Sequence, residues 1–316
     1  MKAVILDLDT LAPSDLDLSA LIAEVDDWQL YPHTSPSQLL ERIADADIVL
    51  SNKVVIGADA IASAKQLKLI AVMATGTNNI DLAAARAHGV TVSNALGYST
   101  ASVVQLCFGL MLSLATRLSD YQQAVSRGDW QASQQFCLLD YPIAELAGKT
   151  LGIIGYGELG KKVAVIAQAM DMNVIVAESL SGASNDDRVS LNTLLAESDV
   201  VTLHCPLTDQ TRNLIDGSAL ARMKRGSFLI NTARGGIIDE SALAQALRSG
   251  HLAGAGIDVL AEEPPAKHSV LLAGDIPNVL ITPHCAWGSR ESRQRLVGQL
   301  VAVIDGFIAG RPIQQV

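Results

Sequence analysis

The chain has 316 residues, of which 49% are hydrophobic, 18% are charged and only 4% are aromatic. Its 23 basic and 33 acidic residues give a net charge of -10 at pH 7. This composition is typical of a globular α/β protein with a large core, and the length favours two domains. The acidic balance argues against nucleic-acid binding, which needs a basic patch to neutralise phosphates.

The sequence gives no sign of a membrane span or a signal peptide. The N-terminal run "MKAVILDLD" is short and is interrupted by Asp7, and the longest apolar stretch, "LCFGLMLSLA", is too short to cross a bilayer. We predict that this stretch is a buried helix. The cysteines show no CxxC or disulfide-framework spacing, which predicts reduced thiols and a cytoplasmic protein. They are Cys107, Cys137, Cys205 and Cys285.

The first hundred residues alternate between strand-like and helix-like segments. In chain order they are the strand "KAVILD", the helix "SPSQLLERIADA", the strand "DIVLSN", the helix "GADAIASAKQ", the strand "LKLIAVMA", the helix "NIDLAAARAHG" and the strand "VTVSNAL". Gly89 is a predicted helix stop. Such alternation predicts a parallel sheet covered by helices on both faces.

A second series begins after the helical segment "TASVVQLCFGLMLSLATRL" and a polar stretch up to about Gly148. Its predicted strands are "KTLGIIG", "MNVIVAES", "DVVTLHCP", "SFLINTA", "GAGIDVL" and "NVLITPH". We expect the last helix, "SRESRQRLVGQLVAVIDGFIAG", to return to the first domain. The predicted class is therefore α/β, with two doubly wound parallel-sheet (Rossmann/flavodoxin-like) domains and a cleft between them.

A glycine pattern opens the first helix of the second series. Gly155, Gly157 and Gly160 form a GxGxxG motif that follows a buried strand, as a dinucleotide site requires. Glu178, at the end of the next predicted strand, can accept hydrogen bonds from a ribose diol. No arginine follows it before Arg188, which favours NAD over NADP. A methyltransferase also uses a glycine-rich loop and an acid in this order, so the motif alone leaves both classes open.

Two His-Cys pairs, His204-Cys205 and His284-Cys285, raise the question of a metal site. Adjacent side chains of a strand point to opposite faces, so neither pair can chelate one ion. The chain has no zinc-ligand spacing, and we predict no metal. On the same argument, Cys285 is expected to pack on the side opposite His284.

Three titratable residues follow predicted strands of the second series. Arg234 comes after "SFLINTA", Glu263 lies in "GIDVLAEEPP" and His284 ends "NVLITPH". Alone, each has an ordinary structural explanation. Ligands of doubly wound sheets bind at the carboxyl ends of the strands, so all three are expected on the edge that carries the glycine loop.

These residue types fit the oxidation of a secondary alcohol by NAD. Histidine can accept the hydroxyl proton, and a carboxylate bonded to its other ring nitrogen fixes its tautomer. The planar guanidinium of Arg234 can hold a substrate carboxylate with two hydrogen bonds.

The chain resembles the D-isomer-specific 2-hydroxyacid dehydrogenases over nearly its full length. The resemblance rests on the order and spacing of the segments "GIIGYGELGKKVA", "LHCPLTDQTRNLI", "MKRGSFLINTARGGIIDESALAQAL", "GAGIDVLAEEPP" and "ITPHCAWGS". It implies that Arg234, Glu263 and His284 are the catalytic trio, with Glu263 rather than Glu262 in the family position.

The resemblance also implies the binding residues. Those expected to line the NAD site, besides the three glycines, are Glu158, Leu159, Glu178, Cys205, Thr232, Ala233 and Asp258. The substrate loop corresponds to "MATGTNNID", where N–H groups around Thr75 and Gly76 would bind the substrate carboxylate. Ala74 stands where the family commonly has glycine, and we expect a less free backbone there.

The domain organisation that follows is discontinuous. Residues 1–98 and 289–316 are expected to form the substrate-binding domain, and residues 99–288 the NAD-binding domain. The segment from about 100 to 147 is expected to form a homodimer interface.

Within the family, "AWGS" and "NALGYST" are most similar to the glycerate dehydrogenases (hydroxypyruvate reductases). The expected substrates are D-glycerate and hydroxypyruvate, with glyoxylate as a smaller alternative, and Trp287 is expected to shape the pocket or to pack. A phosphoglycerate-type or D-lactate-type enzyme stays open, although Lys53, Lys65, Lys68 and Arg86 form no phosphate cluster. So does a dinucleotide-sensing, corepressor-like binding protein. A formate-type enzyme is disfavoured because it would need Gln in place of Glu263.

Overall fold

The structure, a computed structural model, describes residues 1–179 and 187–316. The chain divides into two compact units. The first contains Met1–Ala101 and Trp287–Val316, and the second is Ser102–Ala286.

The first unit is built on a five-stranded parallel sheet of order β2-β1-β3-β4-β5. Its strands are β1 (Lys2–Ile5), β2 (Asp27–Leu30), β3 (Ile48–Ser51), β4 (Leu69–Val72) and β5 (Thr91–Ser93). Its first helices are α1 (Ser19–Ile22), α2 (Pro36–Ile43), α3 (Ala58–Ser63) and α4 (Leu82–Ala87). Asp81 is the N-cap of α4, where its side chain accepts a hydrogen bond from the N–H of Ala84, and the end of the helix is followed by Gly89 at φ 69°.

The second unit contains a six-stranded parallel sheet of order β11-β10-β9-β8-β6-β7. Its strands are β6 (Thr150–Ile154), β7 (Asn173–Val176), β8 (Val200–Leu203), β9 (Phe228–Asn231), β10 (Gly254–Ile257) and β11 (Val279–Ile281). Its helices are α5 (Thr100–Thr116), which begins two residues before the unit boundary, α6 (Leu118–Arg127), α7 (Asp129–Ala132), α8 (Glu158–Ala169), α9 (Leu191–Glu197), α10 (Gly217–Arg222) and α11 (Glu240–Arg248).

The final helix, α12 (Arg290–Ile308), belongs to the first unit. Its buried side chains, among them Leu296 and Leu300, pack with Ile5 and Leu69 on one face of the first sheet. The opposite face carries α2, α3 and α4, which pack on a separate core that includes Val4 and Val49. Because consecutive residues of β1 point into different cores, the strand is apolar without alternation.

The second sheet is also covered on both faces. Helices α5 and α8 share one core with Leu151 and Ile153, and helices α9, α10 and α11 share the other with Val201 and Leu229. The predicted class of two doubly wound parallel α/β sheets is confirmed, and "LCFGLMLSLA" lies within α5, which is largely buried. None of the described helices is by itself long and apolar enough to cross a membrane; α5 and α6 reach that length only together, across a 59° bend.

Strand β2 was not among the predicted elements. It is an edge strand whose residues are exposed apart from the half-buried Trp28, and it pairs only with β1. An edge strand that buries so little carries no apolar alternation, so the sequence pattern gives no signal for it.

Candidate active site

The second sheet reverses its strand order between β6 and β8, and the glycine loop follows β6 at this point. The chain runs from β6 outward to β7 and then crosses back to β8 on the other side of β6. A crevice outside the carboxyl ends of the strands at such a reversal is where doubly wound sheets bind their ligands.

Glycine occurs at the three positions of the motif for different physical reasons. Gly155 adopts φ 96°, and a Cβ there would lie 2.5 Å from the Cys205 nitrogen. A Cβ on Gly160 would overlap the Gly155 carbonyl oxygen, so this glycine lets α8 approach the strand closely. Gly157 differs, because its φ is ordinary and a Cβ would meet nothing within 4 Å. The protein itself does not require glycine at 157, which fits a position where a ligand approaches the backbone.

The other predicted cofactor residues near the loop surround the same edge. Glu158 is exposed in the first turn of α8, and Leu159 is half-buried against the core below. Glu178 is exposed just beyond β7, where its N–H donates to the Val189 carbonyl at 2.9 Å. A carboxylate at this point is available to a ribose bound at the edge of the sheet.

His204 and Cys205 continue β8 past its last residue. The His204 N–H donates to the Ile154 carbonyl at 2.7 Å, and His204 Nε2 lies 3.0 Å from Thr202 Oγ1. The residue is half-buried as a whole, but Nδ1 is shielded from solvent, and burial lowers the pKa of His204 to about 4. Cys205 is buried, and burial raises the pKa of its thiol. The described residues contain no group of three or more His, Cys, Asp or Glu side chains suited to a metal ion.

Arg234 lies in a short loop after β9 that Asn231 holds in place. The Asn231 Oδ1 accepts the Ala233 N–H at 3.0 Å, and its Nδ2 donates to the Arg234 carbonyl at 2.9 Å. Thr232 and Ala233 are buried, whereas Arg234 is half-buried and its Nη1 donates to the Ala233 carbonyl at 2.7 Å. The hydrogen bonds from the Asn231 side chain to the loop backbone therefore fix the direction in which the chain leaves the sheet at Arg234.

The loop of Arg234 touches the loop that carries Glu263. A Cβ on Gly235 would overlap the carbonyl of Leu260 and the nitrogen of Ala261, so the two backbones are in contact there. Glu263 Oε1 accepts the Leu260 N–H at 2.9 Å, and Glu240 Oε1 accepts the Ala261 N–H at 2.6 Å. These contacts place the predicted arginine and glutamate on neighbouring loops.

Glu263 and His284 form the direct contact of the predicted trio. Glu263 Oε2 lies 2.6 Å from His284 Nδ1, and both side chains are partly exposed, at 34% and 27%. A carboxylate at this distance accepts a hydrogen bond from Nδ1–H, which keeps the proton on Nδ1 and so fixes the tautomer of the neutral histidine.

Asp258 holds the backbone that carries His284. Its Oδ1 accepts the Thr282 hydroxyl at 2.6 Å and the Cys285 N–H at 3.0 Å, and its Oδ2 accepts the Ala286 N–H at 3.0 Å. Burial raises the pKa of Asp258, and these hydrogen bonds oppose the rise by favouring the carboxylate. His284 has φ 50°, an uncommon left-handed conformation that the bonds on either side of it stabilise.

The prediction that Cys285 packs on the side opposite His284 was wrong, because its side chain is exposed. Strand alternation ends with β11 at Ile281, and the chain then turns at His284. Beyond a strand end, side-chain direction follows the turn rather than the pleat.

A substitution at Gly235 tests whether the contact between the two loops matters. We expect Gly235→Ala to lower the free energy of unfolding by about 1–3 kcal/mol, as in overpacked sites, and to reduce turnover by shifting the loop of Arg234 relative to the loop of Glu263. Gly236→Ala is the matched control, because its Cβ would meet mainly the flexible Leu207 side chain, at 3.2 Å. Equal stability and turnover in the two variants, measured by denaturant unfolding and NADH oxidation, would contradict this account.

The remaining predicted residues, Thr75, Gly76 and Trp287, lie in the first unit. Thr75 Oγ1 donates to the Ala95 carbonyl at 2.8 Å, and Asn94 Nδ2 donates to the Thr75 carbonyl at 2.7 Å. This loop follows β4, at the carboxyl edge of the first sheet.

Ala74 and Trp287 are both held by neighbours in the first unit. Ala74 is buried without a left-handed φ, and its carbonyl accepts the Ala95 N–H at 3.0 Å, so alanine fits there without backbone strain. Trp287 is half-buried against the core below α12, with its ring edge-on to Tyr98 at 6.5 Å. The Trp287 ring therefore has a packing role, and its part in substrate binding stays a prediction.

Comparison with known proteins identifies the family. Residues 108–286 match the model of the D-isomer specific 2-hydroxyacid dehydrogenase NAD binding domain. The chain is 46% identical over 305 residues to the glycerate dehydrogenase of Methylorubrum extorquens, covering 94% of this chain and 96% of the relative. This chain belongs to the D-isomer-specific 2-hydroxyacid dehydrogenase family.

Two further matches extend over the whole chain. The hydroxypyruvate reductase of Blautia hydrogenotrophica is 37% identical, with 100% of this chain and 99% of the relative covered. The crystal structure of D-lactate dehydrogenase from Aquifex aeolicus, complexed with NAD and lactic acid, superimposes with a TM-score of 0.81 at 28% identity, covering 98% and 96% of the two chains. As in this family, the protein is an NAD-dependent oxidoreductase.

The residues at the carboxyl edge of the second sheet fit NAD. Gly157 leaves open space beside the N-terminus of α8, where N–H groups and the helix dipole favour a pyrophosphate. Glu178 beyond β7 suits the adenosine ribose. The methyltransferase alternative is excluded by the family assignment.

Asn231, Glu240 and Thr282 were not among the residues predicted from the sequence. Each acts through a hydrogen bond to a loop that is distant in sequence or to a backbone group, as with Glu240 and Ala261. The N-x-A-R-G segment contains a signal for Asn231, since a buried polar residue at a strand end must find partners. Nothing in the sequence pattern marks the other two.

Proposed function

We propose that this enzyme interconverts hydroxypyruvate and D-glycerate with NADH and NAD, and that it also reduces glyoxylate. The observation that carries the proposal is the 2.6 Å contact between Glu263 and His284, on loops that adjoin the loop of Arg234. An acid/base pair beside a guanidinium is what the reduction of a 2-keto acid needs.

In the direction of reduction, Arg234 binds the substrate carboxylate and polarises the neighbouring carbonyl. With His284 Nδ1 bonded to Glu263, Nε2 is the nitrogen that gives its proton to the carbonyl oxygen. NADH, when bound, would supply the hydride for C2, and His284 would recover from solvent the proton that it gives up, so that keto acid, hydride and proton together give the hydroxy acid. In oxidation, His284 takes the hydroxyl proton, and Glu263 stabilises the imidazolium that forms.

In the first unit, the N–H groups of Thr75 and Gly76 support carboxylate binding. Neither of these two N–H groups donates a hydrogen bond to another of the described residues. We assign the first unit, Met1–Ala101 and Trp287–Val316, the substrate-binding role that the sequence led us to expect of residues 1–98 and 289–316.

The choice of hydroxypyruvate is supported by the two relatives named for glycerate and hydroxypyruvate and by the "AWGS" and "NALGYST" segments. A phosphorylated substrate is less well supported. Lys68 precedes β4, at the opposite edge of the first sheet from the Thr75 loop, and is paired with Asp47 at 2.7 Å.

The test measures NADH oxidation with hydroxypyruvate, glyoxylate, pyruvate and phosphohydroxypyruvate in parallel. We expect the highest kcat/KM with hydroxypyruvate and a value roughly tenfold or more lower with pyruvate, which lacks the hydroxyl. A preference for pyruvate or phosphohydroxypyruvate would assign a different substrate, and no turnover with any of the four would exclude the enzyme function.

We also propose a homodimer formed through the segment from about 100 to 147. Large apolar side chains are exposed along it, and such clustering marks an interface more often than a free surface. They are Leu112, Leu118, Val125, Trp130, Phe136, Leu139 and Ile143, with Phe136 90% exposed. Sedimentation at micromolar concentration should give twice the mass of one chain, and a monomer would contradict this interface.

The cellular location proposed is the cytoplasm. All four cysteines are free thiols, and Cys107 and Cys205 are buried. Free thiols are typical of proteins in reducing compartments.

A further inference from the structure

A cavity of about 490 Å³ lies within the second unit, at the amino edge of its sheet. Part of its lining comes from residues that directly precede a strand, namely Lys149 before β6, Asp199 before β8, Ala253 before β10 and Asn278 before β11. The glycine loop and the loops of the catalytic trio follow the carboxyl ends of strands in the same sheet. This amino-edge cavity is therefore separate from the active site.

The size and the wall of the amino-edge cavity suit a small organic molecule with an apolar body. Pockets that bind such molecules commonly have volumes of about 300–1,000 Å³. Leu114 of α5, Leu146, Phe228 of β9 and Leu252 line the cavity, and all of them except the half-buried Phe228 are buried. A ligand that packs on these side chains is stabilised because hydrocarbon surface leaves water.

Arg117 brings a cation to the cavity from an uncommon backbone position. It joins α5 to α6 at their 59° bend, with φ 55°, a left-handed conformation that favours glycine or asparagine. Its Nε donates to Asp120 Oδ2 at 2.6 Å, and its guanidinium carbon lies 5.7 Å from the centre of the Tyr141 ring. An arginine at such a costly backbone position indicates a role for its side chain.

The guanidinium of Arg117 has two nitrogens to offer a ligand. Neither Nη1 nor Nη2 bonds to another of the described residues, and neither is shielded from solvent, although the side chain is only 19% exposed. A planar pair of N–H donors matches the two oxygens of a carboxylate. Arg117 can therefore hold a carboxylate while its Nε stays bonded to Asp120.

Lys149 adds a second available cation. In the part of the chain that the structure describes, its ammonium makes no hydrogen bond or ion pair. Asp199 already accepts the Thr150 N–H at 2.9 Å and the Lys224 ammonium at 3.2 Å. Burial acts to raise the pKa of Asp199, but these two bonds and the charge of Lys149 lower it overall. Asp199 is therefore ionised, and both of its oxygens are in use.

The remaining charged residues of the lining are Glu145 and Arg248, and both are exposed. Arg248 is paired with Asp275 through Nε and Nη2, each at 2.9 Å. Among the described residues that line the cavity, Arg117 and Lys149 have donors to spare, whereas Glu145 is the one acid that accepts no hydrogen bond. The available donors therefore favour an anion.

The cavity lies largely outside the proposed dimer interface. Of the exposed apolar side chains that mark that interface, Ile143 alone lines the cavity. A twofold interface pairs the same patch of both copies, and this patch leaves most of the cavity uncovered. The observations favour a small molecule over a second copy of the chain as the occupant.

We propose that the amino-edge cavity binds a carboxylate with an aromatic or branched apolar body, and that Arg117 and Lys149 bind the carboxylate group. The apolar body then packs on the leucine-lined wall. This assignment goes beyond the proposed function and does not depend on which keto acid the enzyme reduces.

Calorimetric titration with naphthalene-2-carboxylate, at a saturating concentration of NAD, tests the proposal. We expect one probe molecule per chain, with a dissociation constant of about 1 mM or lower. The neutral naphthalene-2-carboxamide should bind about 3- to 10-fold more weakly, because it lacks the charge. Acetate, which lacks the apolar body, should show no measurable binding at the same concentrations.

Three variants locate the probe. Arg117→Asn suits the left-handed backbone but removes the guanidinium, and Lys149→Gln removes the ammonium from an exposed position, so each should weaken naphthalene-2-carboxylate about 3- to 10-fold. Ala253→Phe fills the cavity and should abolish binding. All three should oxidise NADH with hydroxypyruvate at the wild-type rate. Lys65→Gln, at an exposed lysine of the first unit, is the matched control and should change nothing.

Four results would overturn the assignment. Competition of the probe with NAD or with hydroxypyruvate would place it in the active site. Equal affinity for the carboxylate and the carboxamide would show that the cations do not recognise an anion. Wild-type affinity in Arg117→Asn, Lys149→Gln or Ala253→Phe would place the probe elsewhere. Binding that occurs only to the monomer would show that a second copy of the chain occupies the cavity.

Discussion

We expect His284→Ala to lower kcat for hydroxypyruvate reduction by about 10²–10⁴-fold and to leave NADH affinity close to that of the wild type. The reason is that the variant removes the group that exchanges a proton with the substrate oxygen, a contribution of this size in general acid–base catalysis. Glu263, which lies 2.6 Å from the His284 ring in the wild type, then has no imidazole to orient. Stopped-flow turnover and calorimetric NADH binding measure the two quantities separately.

Two further variants make this result decisive. His284→Asn tolerates the left-handed backbone at 284 and should be as inactive as alanine, which separates chemistry from a misfolded loop. His268→Ala changes an exposed histidine near the same loop and should retain full activity. If His284→Ala kept more than about a tenth of wild-type kcat, far above the range for a lost acid/base group, His284 would not be the proton donor.

Arg234→Lys should reduce kcat/KM for hydroxypyruvate by about 10²–10³-fold, chiefly through a higher KM, since it retains charge but loses the planar fork. One guanidinium nitrogen is already bonded to the Ala233 carbonyl at 2.7 Å, which orients the rest of the group. A lysine has one nitrogen and cannot make that bond and hold a carboxylate with two others. Steady-state kinetics across a range of hydroxypyruvate concentrations gives both parameters.

The control for this variant is Arg222→Lys, an exposed arginine of α10 that bonds to Ser218 within its own helix. It should leave kcat and KM unchanged, and NADH affinity should be unchanged in both variants. A wild-type KM in Arg234→Lys would show that another cation binds the substrate carboxylate.

The inner strands of the second sheet, β6, β8, β9 and β10, were predictable because they are buried on both faces and therefore read as apolar runs bounded by polar residues. The edge strands β7 and β11 are half-buried, and their residues are still mostly apolar. Strand β2 was not predicted for the same physical reason, because it is an edge strand that buries almost nothing and so has no apolar pattern. The apolar pattern of α12 would fit either unit, so the pattern alone could not place this helix in the first unit.

The candidate site divides in the same way. Glycines 155 and 160 were predictable because local sterics demand them, and the titratable trio because each follows a strand. The hydrogen bonds of Asp258 and Asn231 were not, because they depend on how loops turn after the strand ends. The exposed Cys285 shows the limit of strand alternation most directly.

The left-handed backbone at His284 also bears on protein engineering. At φ 50°, glycine or asparagine is the residue that stability favours, so a search for thermostable variants would select a replacement at position 284. Such a search would increase the melting temperature and abolish catalysis in one step. In this enzyme, position 284 must therefore be kept fixed during any stabilisation, because fold stability and turnover select different residues there.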